Sequence, residues 1–349
     1  MFLAMVIAFG LAECAARLAE WAHPARAELA FEYAPYRMLR MTRAPWPLNS
    51  EGFRAQGFTS YKDKFLIEFL GGSVCLGVGT DPGKTVPERL EEMLHRAGLA
   101  EVAVVNLCQG GATTGQELAI LTQYGLPLAP QFVISFNGAN DLMHPAPVGD
   151  DDAPNLPYRN REMKILFEGR HGQLAHLALT RVAARLAQRL PVRAQEQDVP
   201  DGAIIDSYIY SLDLTRTLAE SRGASYKVLL QPTLHWNKPW SAAEAGMWRE
   251  RRPSDGAAIS ARTAKRYRAA EQALLSWGRE HHVETYDLTH VFAQTTDTVY
   301  SDSVHFVGET GYQVLFDALA HQGLIESITK RYRRWQTKAA GWETVSWAH

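Results

Sequence analysis

Short apolar runs alternate with segments of helical periodicity through most of the chain. Runs with the length of buried strands cover residues 64–70, 101–107, 130–138, 225–232 and 283–289. Apolar residues recur at helical spacing in residues 85–99, 113–126, 204–223, 257–281 and 308–324. Strands and helices that alternate in this way form a parallel sheet covered on both faces. The pattern therefore predicts one α/β domain with five parallel strands.

Segments outside this alternation set the predicted boundaries. An apolar helix is expected over residues 1–23, and an extended, proline-containing lead-in over 24–60. The α/β domain itself is predicted over 61–325, with an insertion over 142–202 after the third strand. That insertion combines prolines and an acidic run with an amphipathic helix. Residues 326–349 are expected to form a C-terminal tail.

The apolar N-terminus is open to three interpretations. Residues 1–12 carry no charged side chain, but Glu13 and Arg17 follow closely. A spanning helix needs about 20 apolar residues, and no basic segment precedes the run as in a signal peptide. The segment is therefore a weak or truncated membrane anchor, an uncleaved export signal, or an amphipathic helix packed on the domain. The first interpretation is favoured.

Composition narrows the classes of function. The chain has 349 residues, 46% of them hydrophobic, and a formal net charge of -2. With no basic block and no zinc-ligand spacing, no nucleic-acid partner is expected, and the arginines of residues 249–252 indicate a solvated face. The cysteines are Cys14, Cys75 and Cys108, without a C-x-x-C motif. Buried thiols are expected, and Cys75 and Cys108 can pair only if their strand ends are adjacent.

Four loops of the predicted sheet carry polar residues or glycines at one edge. The carboxyl ends of parallel strands meet there, and ligands of open α/β sheets bind at that edge. Ser73 follows the first strand, Gly111 the second and Asn140 the third, while Asp302 and His305 lie after the fifth. We therefore expect these residues to share one site.

Ser73 is the candidate nucleophile of this site. A serine hydroxyl needs a base to take its proton, and His305 is the candidate base. Asp302 precedes His305 closely enough for a tight turn to bring its carboxylate to the far imidazole nitrogen. Acyl transfer also needs donors for the developing oxyanion. The backbone N–H groups of Ser73 and Gly111, with the side-chain amide of Asn140, would supply them.

Other polar residues near this edge have lesser predicted roles. His235 and Trp236 follow the fourth strand and are candidate substrate contacts. Asp141 is expected to brace its own loop, Asn106 to bind loop backbone, and Thr114 to cap the helix after the second strand. The glycines around the serine lack the G-x-G-x-x-G spacing and the lysine of phosphate-binding loops, so no nucleotide cofactor is expected.

The four loops resemble the sequence blocks of the SGNH (GDSL-type) hydrolase superfamily. The matching blocks are, in chain order, Gly71-Gly72-Ser73, "NLCQGGATT", "NGAND" and "DSVH". The resemblance covers roughly residues 48 to 322. It implies a flavodoxin-like, three-layer α/β/α sandwich and an ester hydrolase with a Ser-His-Asp triad that needs no metal or cofactor.

A finer resemblance concerns the bacterial branch of this superfamily at the cell envelope. The lead-in "LNSEGFRAQGF", the strand "LQPTL" and an N-terminal helix ending in Glu13 and Arg17 resemble that branch. The resemblance implies a serine esterase for acyl esters, above all acetyl esters, of envelope or exported carbohydrate. It also implies membrane association through residues 1–20 and a location in the cell envelope, with a cytoplasmic location as the alternative.

Departures from the family pattern leave alternatives open. Gly72 stands where the family usually has an aspartate, and Cys108 where a glycine is common. An O-acetyltransferase with the same triad, a lipase or thioesterase, and an inactive scaffold of polysaccharide assembly remain alternatives. An α/β-hydrolase is disfavoured because its G-x-S-x-G elbow needs a glycine where Cys75 stands.

Overall fold

Two β-sheets are present in the protein, whose computed structural model describes residues 9–18, 30–34, 37–143 and 200–343. A small antiparallel pair is formed by β1 (Ala30–Ala34) and β2 (Met38–Arg43). The central sheet contains β3 (Phe65–Gly71), β4 (Val102–Asn106), β5 (Phe132–Asn137), β6 (Ser225–Leu230) and β7 (Glu284–Asp287). The five predicted strands are therefore confirmed.

The central sheet has the order β4-β3-β5-β6-β7, and every neighbouring pair is parallel. This is the flavodoxin-like order, in which the chain passes from β3 to β4 on one side and then continues with β5, β6 and β7 on the other. The direction of winding changes between β3 and β5. A crevice therefore opens beyond the carboxyl ends of these two strands, where the loops with Ser73 and Asn140 begin.

Helices cover both faces of the central sheet, which confirms the three-layer sandwich. They are α1 (Ser73–Leu76), α2 (Val86–Arg96), α3 (Thr114–Ile120), α4 (Ala139–Met143), α5 (Asp201–Ser221), α6 (Ala242–Arg251), α7 (Gly256–Glu280), α8 (Thr310–His321) and α9 (Leu324–Glu343). Apolar residues of α2, α8 and α9 pack on one face, and those of α3, α5 and α7 on the other. Every residue of β3, β4 and β5 is buried, because both faces of these strands are covered.

Three described elements differ from the sequence prediction. The predicted extended lead-in contains the β1–β2 hairpin, and the predicted C-terminal tail contains α9. Tyr332 of α9 packs edge-on against Phe65 of β3, with ring centroids 5.3 Å apart. The tryptophan-rich loop after β6 contains α6, which begins with a capping box between Ser241 and Glu244.

The helix predicted over residues 113–126 is shorter than expected. Helix α3 ends at Ile120, and a π-helical turn and a 3-10 turn follow it. Thr113, not Thr114, is its N-cap, and the Thr113 N–H donates to the Gln116 side chain at 3.1 Å. In the π turn, a Cβ on Gly125 would lie 2.4 Å from a carboxylate oxygen of Glu68. The buried carboxylate of Glu68 therefore leaves room only for glycine there.

Two predicted segments fall largely outside the described residues. Of the candidate membrane anchor, residues 9–18 are described and are helical. The candidate insertion over 142–202 lies outside them, apart from its first and last residues. Among the described residues, no helix combines the length and the apolar character needed to cross a bilayer.

A disulfide joins Cys75 of α1 to Cys108, which follows β4. Both residues are fully buried, whereas Cys14 is free and exposed. Strands β3 and β4 are neighbours in the sheet, so the condition for this pairing is met. The bond ties the helix that begins at Ser73 to the loop that leads to Gly111.

Glu68 is a carboxyl in the middle of the core. It lies on β3, has no exposed surface, and neither side-chain oxygen has a hydrogen-bond partner among the described residues. Burial raises the pKa of Glu68 well above its usual value. The folded protein therefore holds a proton here that the unfolded chain releases above its pKa of about 4.3.

We expect Glu68→Met to stabilise the protein at neutral pH. An unpaired buried polar group costs about 1–3 kcal/mol, which methionine removes while filling the same space. Because the folded-state pKa is raised, Glu68 makes the free energy of unfolding fall as pH rises above about 4.3. Denaturant unfolding at several pH values should show this fall in the wild type and a smaller fall in Glu68→Met, since other buried carboxyls with raised pKa values keep their share of it. Glu92→Met, at an exposed position of α2, is the control, and a destabilised Glu68→Met would contradict the prediction.

Candidate active site

The candidate nucleophile lies at a sharp turn between β3 and α1. A Cβ on Gly71 would lie 2.2 Å from the carbonyl oxygen of Phe136, so only glycine fits where β3 ends. A Cβ on Gly72 would lie 2.5 Å from the side-chain nitrogen of Asn140. Gly72 therefore lets the Asn140 amide approach the turn, and Ser73 follows as the first residue of α1.

Asp302 and His305 lie in one tight turn after β7. One carboxylate oxygen of Asp302, Oδ1, accepts the backbone N–H groups of Val304 at 2.8 Å and His305 at 2.7 Å. Its other oxygen, Oδ2, lies 2.7 Å from Nδ1 of His305. A carboxylate accepts, so Nδ1 carries the proton of this hydrogen bond. In the neutral ring, Nε2 is then free to accept a proton.

The hydroxyl of Ser73 meets this ring nitrogen. Ser73 Oγ lies 2.6 Å from His305 Nε2, so the three side chains form one continuous hydrogen-bonded chain. Burial raises the pKa of Asp302, but the hydrogen bond and charge of His305 and the two backbone N–H groups outweigh it and lower the pKa to about 2. Asp302 is therefore ionised at neutral pH. This arrangement can take the proton from a serine hydroxyl.

The segment after β6 supports the turn with the histidine. The carbonyl oxygen of Ser303 accepts from Thr233 Oγ1 at 2.9 Å and from the Leu234 N–H at 3.0 Å. The Ser301 N–H donates to the carbonyl oxygen of His305 at 2.8 Å, which closes the turn. The sequence analysis missed Thr233 as a support, because a lone threonine after a strand carries no signal of a contact 70 residues away.

Arg251 is a second residue that the sequence analysis missed. Its guanidinium donates to the carbonyl oxygen of Ser301 at 3.3 Å and lies 4.0 Å from Asp302 Oδ2. The arginine segment was expected to form a solvated face, and Arg251 is indeed half exposed. It nevertheless places a positive charge beside the turn that carries Asp302.

The candidate oxyanion donors lie in two loops next to the turn that carries Ser73. Gly111 has a φ of 76°, which favours glycine, in a loop whose Gln109 N–H donates to the carbonyl oxygen of Gly71 at 2.9 Å. The Asn140 amide donates to the carbonyl oxygen of Ala112 at 2.7 Å. A side-chain amide has two N–H groups, so one bond to Ala112 leaves the other N–H for a ligand.

Asp141 links the loops that carry these donors. Its carboxylate accepts the Thr114 hydroxyl at 2.7 Å and the Thr114 N–H at 3.1 Å. Burial raises the pKa of Asp141 to about 6, although the hydrogen bonds from Thr114 lower it. The predicted bracing contact is therefore present, and it fixes α4 to the start of α3.

Glu117 of α3 is a buried carboxyl near Asp141. Glu117 accepts from the Asn137 amide at 2.7 Å, and the Tyr208 hydroxyl donates to Asn137 at 2.9 Å. Burial, and then the nearby charge of Asp141, raise the pKa of Glu117 to about 8. This network fixes the carboxyl end of β5, directly before the loop with Asn140.

His235 and Trp236 have partners inside the protein. His235 is buried, lies 3.1 Å from the Ser260 hydroxyl, and packs against the ring of Trp248. Trp236 donates from its indole nitrogen to Glu271 at 3.0 Å. Both follow β6 as expected, and their contact with substrate stays a prediction. Asn106 accepts the backbone N–H of Cys108 at 3.1 Å, as predicted for a loop-binding residue.

Comparison with known families decides the class of the protein. The model of the GDSL-like lipase/acylhydrolase family matches residues 69–314. The match runs from β3 into α8 and includes every loop of the site. The chain belongs to this GDSL-like family. It is therefore an ester hydrolase of the SGNH/GDSL type. No curated protein matches the chain in sequence.

Solved structures of GDSL-type proteins resemble this GDSL-like hydrolase at low identity. A lipolytic G-D-S-L family protein from Veillonella parvula is 11% identical, with a TM-score of 0.43, over 73% of this chain and 96% of that one. A catalytic mutant of an acetylxylan esterase from Geobacillus stearothermophilus is 12% identical, with a TM-score of 0.44, over 73% of this chain and 92% of that one. Likeness at this level carries no argument about the substrate of this chain.

We expect Asp141→Asn to slow the GDSL-like hydrolase without unfolding it. The variant loses the charged acceptor for both groups of Thr114, so the loops with Gly111 and Asn140 shift relative to Ser73. Misplacement of this kind lowers kcat by about 10- to 100-fold. Steady-state kinetics on an activated ester measure the effect, with Asp213→Asn on α5 as the control. An unchanged kcat in folded Asp141→Asn would refute the coupling.

Proposed function

We propose that this protein is a serine esterase in which Ser73 is the nucleophile, His305 the base and Asp302 its partner. The supporting observation is the hydrogen-bonded chain of 2.6 Å and 2.7 Å between these side chains at the carboxyl edge of the sheet. A serine, a histidine and a carboxylate in this order form the arrangement that activates a hydroxyl for acyl transfer.

The reaction proceeds in two halves. Ser73 Oγ attacks the ester carbonyl carbon while its proton passes to Nε2 of His305. The tetrahedral intermediate then collapses, the alcohol leaves with the proton from Nε2, and the acyl group stays on Ser73. In the second half, water attacks the acyl carbon while its proton passes to Nε2, and collapse of the second intermediate returns the proton to Ser73 and releases the acid. Asp302 remains ionised, because its pKa is lowered to about 2, and stabilises the imidazolium formed in each half.

The oxyanion of each intermediate is bound by the N–H groups of Ser73 and Gly111 and by the Asn140 amide. Three observations support this assignment. Ser73 begins α1, where backbone N–H groups lack helical partners. Gly111 lies in a turn with a φ of 76° and has no Cβ to keep a ligand from its backbone. The Asn140 amide lies against the serine turn. Donors already in position stabilise the developing charge without reorganisation.

The proposed substrate is a short acyl ester, above all an acetyl ester of an envelope or exported carbohydrate. This part rests on the sequence resemblance to the envelope branch of the superfamily. An O-acetyltransferase would use the same acyl-enzyme and pass the acyl group to a sugar hydroxyl instead of water.

We further propose that the protein works at the cell envelope. The Cys75–Cys108 disulfide supports this location, because disulfides persist in oxidising compartments and are rare in the cytosol. The apolar stretch at the N-terminus supports it as well, as a means of association with the membrane.

Variants of Ser73 and Asn140 test the catalytic proposal. Ser73→Ala should lower kcat by about 10⁶-fold, because the acyl-enzyme cannot form. Asn140→Ala should lower kcat by about 10²- to 10³-fold, because one oxyanion donor is lost. Nitrophenyl esters from acetyl to octanoyl, together with an acetylated polysaccharide, serve as substrates, and the acetyl ester should give the highest kcat/KM. Ser276→Ala, on the surface of α7, is the matched control.

The outcomes of this experiment separate the alternatives. Equal activity in Ser73→Ala would refute the nucleophile. A preference for octanoyl esters would indicate a lipase or thioesterase. Transfer of the acyl group to an added sugar in preference to water, detected by mass spectrometry, would indicate the transferase. No turnover by the folded wild type would contradict the proposal and favour the scaffold.

Counting free thiols tests the proposed location. The full chain is made in bacteria and released into a thiol-blocking reagent, and mass spectrometry counts the blocked cysteines after denaturation. We expect only Cys14 to be blocked, since Cys75 and Cys108 are paired. The Cys75→Ser control should add Cys108 to the blocked set. Three blocked cysteines in the wild type, with the protein in the soluble cytosolic fraction, would refute the envelope proposal.

A further inference from the structure

A cluster of three potential metal ligands lies at the carboxyl end of β7, and none of them takes part in the proposed catalysis. Glu271 comes from α7, Asp287 ends β7, and His290 lies in the turn that follows. Nε2 of His290 lies 3.5 Å from a carboxylate oxygen of Glu271, Oε1, and 3.4 Å from one of Asp287, Oδ2. The three ligand atoms all lie within 4.8 Å of one another.

Contacts outside the cluster orient each carboxylate. The far oxygen of Glu271, Oε2, accepts the indole N–H of Trp236 at 3.0 Å, which leaves Oε1 on the side of His290. The far oxygen of Asp287, Oδ1, accepts the Thr289 N–H at 2.8 Å, which leaves Oδ2 on the same side. Partners of this kind, which hold one oxygen and orient the other, are typical of protein metal sites.

The spacing of the atoms fits a small divalent cation. Zinc binds histidine nitrogen at about 2.0–2.1 Å and carboxylate oxygen at about 2.0–2.2 Å. In a tetrahedron with such bonds, neighbouring ligand atoms are about 3.4 Å apart. The two distances from His290 Nε2 are 3.5 Å and 3.4 Å. Two carboxylates and a neutral imidazole would also balance the charge of a divalent ion.

A fourth polar group meets the same ring nitrogen. The Asn237 amide lies 3.1 Å from His290 Nε2 and 3.1 Å from the Thr289 hydroxyl. Rotation of this amide by 180° would place its oxygen, instead of its nitrogen, next to His290 Nε2. The Thr289 hydroxyl could then donate to that oxygen, because a hydroxyl can donate as well as accept. Asn237 or a water molecule can therefore complete a tetrahedral set.

We propose that Glu271, Asp287 and His290 bind a divalent transition-metal ion, with Zn²⁺ the best fit. The ion would join α7 to the end of β7 and to the loop after β6. Because only the folded chain brings these ligands together, binding would stabilise the fold rather than serve the ester chemistry. The competing explanation is that the three side chains contact one another without an ion.

Calorimetric titration of ZnCl₂ into the untagged, chelator-treated full chain at pH 7.5 tests the site. We expect one ion per chain at this site and at least about tenfold weaker binding in His290→Ala. His290 is exposed, so its replacement leaves the core intact. His281→Ala is the matched control, because His281 is a histidine near the surface whose one carboxylate neighbour among the described residues is Asp213, at 3.7 Å.

A second readout is the melting temperature with and without Zn²⁺. Zinc should raise it in the wild type and in His281→Ala but not in His290→Ala, and Asp287→Asn should behave like His290→Ala. Absence of zinc binding by the wild type, or equal binding by His290→Ala, would overturn the proposal.

Discussion

The hydrogen bond between Ser73 and His305 is the contact on which the candidate site depends. It joins residues 232 positions apart in the chain, one directly after β3 and the other in the segment after the edge strand β7. Nothing local holds the two together. The parallel sheet brings both loops to its carboxyl edge, and the segment after β6 holds the histidine turn through Ser303. The geometry of the site is therefore a property of the whole sheet.

Carboxyl groups inside the protein differ in whether they are hydrogen-bonded. The carboxyls of Asp141 and Glu117 have partners, Thr114 and Asn137, and these bonds join the loops around the candidate oxyanion donors. A hydrogen bond lowers the cost of burying such groups. Glu68 has no such partner among the described residues and lies in the core beneath a π-helical turn. No hydrogen bond among the described residues offsets the cost of burying this carboxyl.

Most of the sheet and its main helices could be predicted because burial leaves a local signal. Strands covered on both faces are continuous apolar runs, as in residues 64–70. The β1–β2 hairpin leaves a weaker signal, because some of its side chains are charged and exposed, such as the ion pair between Glu32 and Arg40. Helix α6 has little apolar periodicity and depends on Glu244, which binds the backbone of Val299 and Tyr300. That contact is long-range and so escapes a local pattern.

The sequence by itself determined the strands of the central sheet, the order of the loops and the types of candidate catalytic group, because these depend on neighbouring residues and on short motifs. Only the tertiary structure decided that Cys75 pairs with Cys108, that His235 lies against Trp248, and that His290 meets two carboxylates. Such contacts join residues from different elements. They depend on strand order and helix packing, which arise from the whole chain and leave no periodic trace in any one segment.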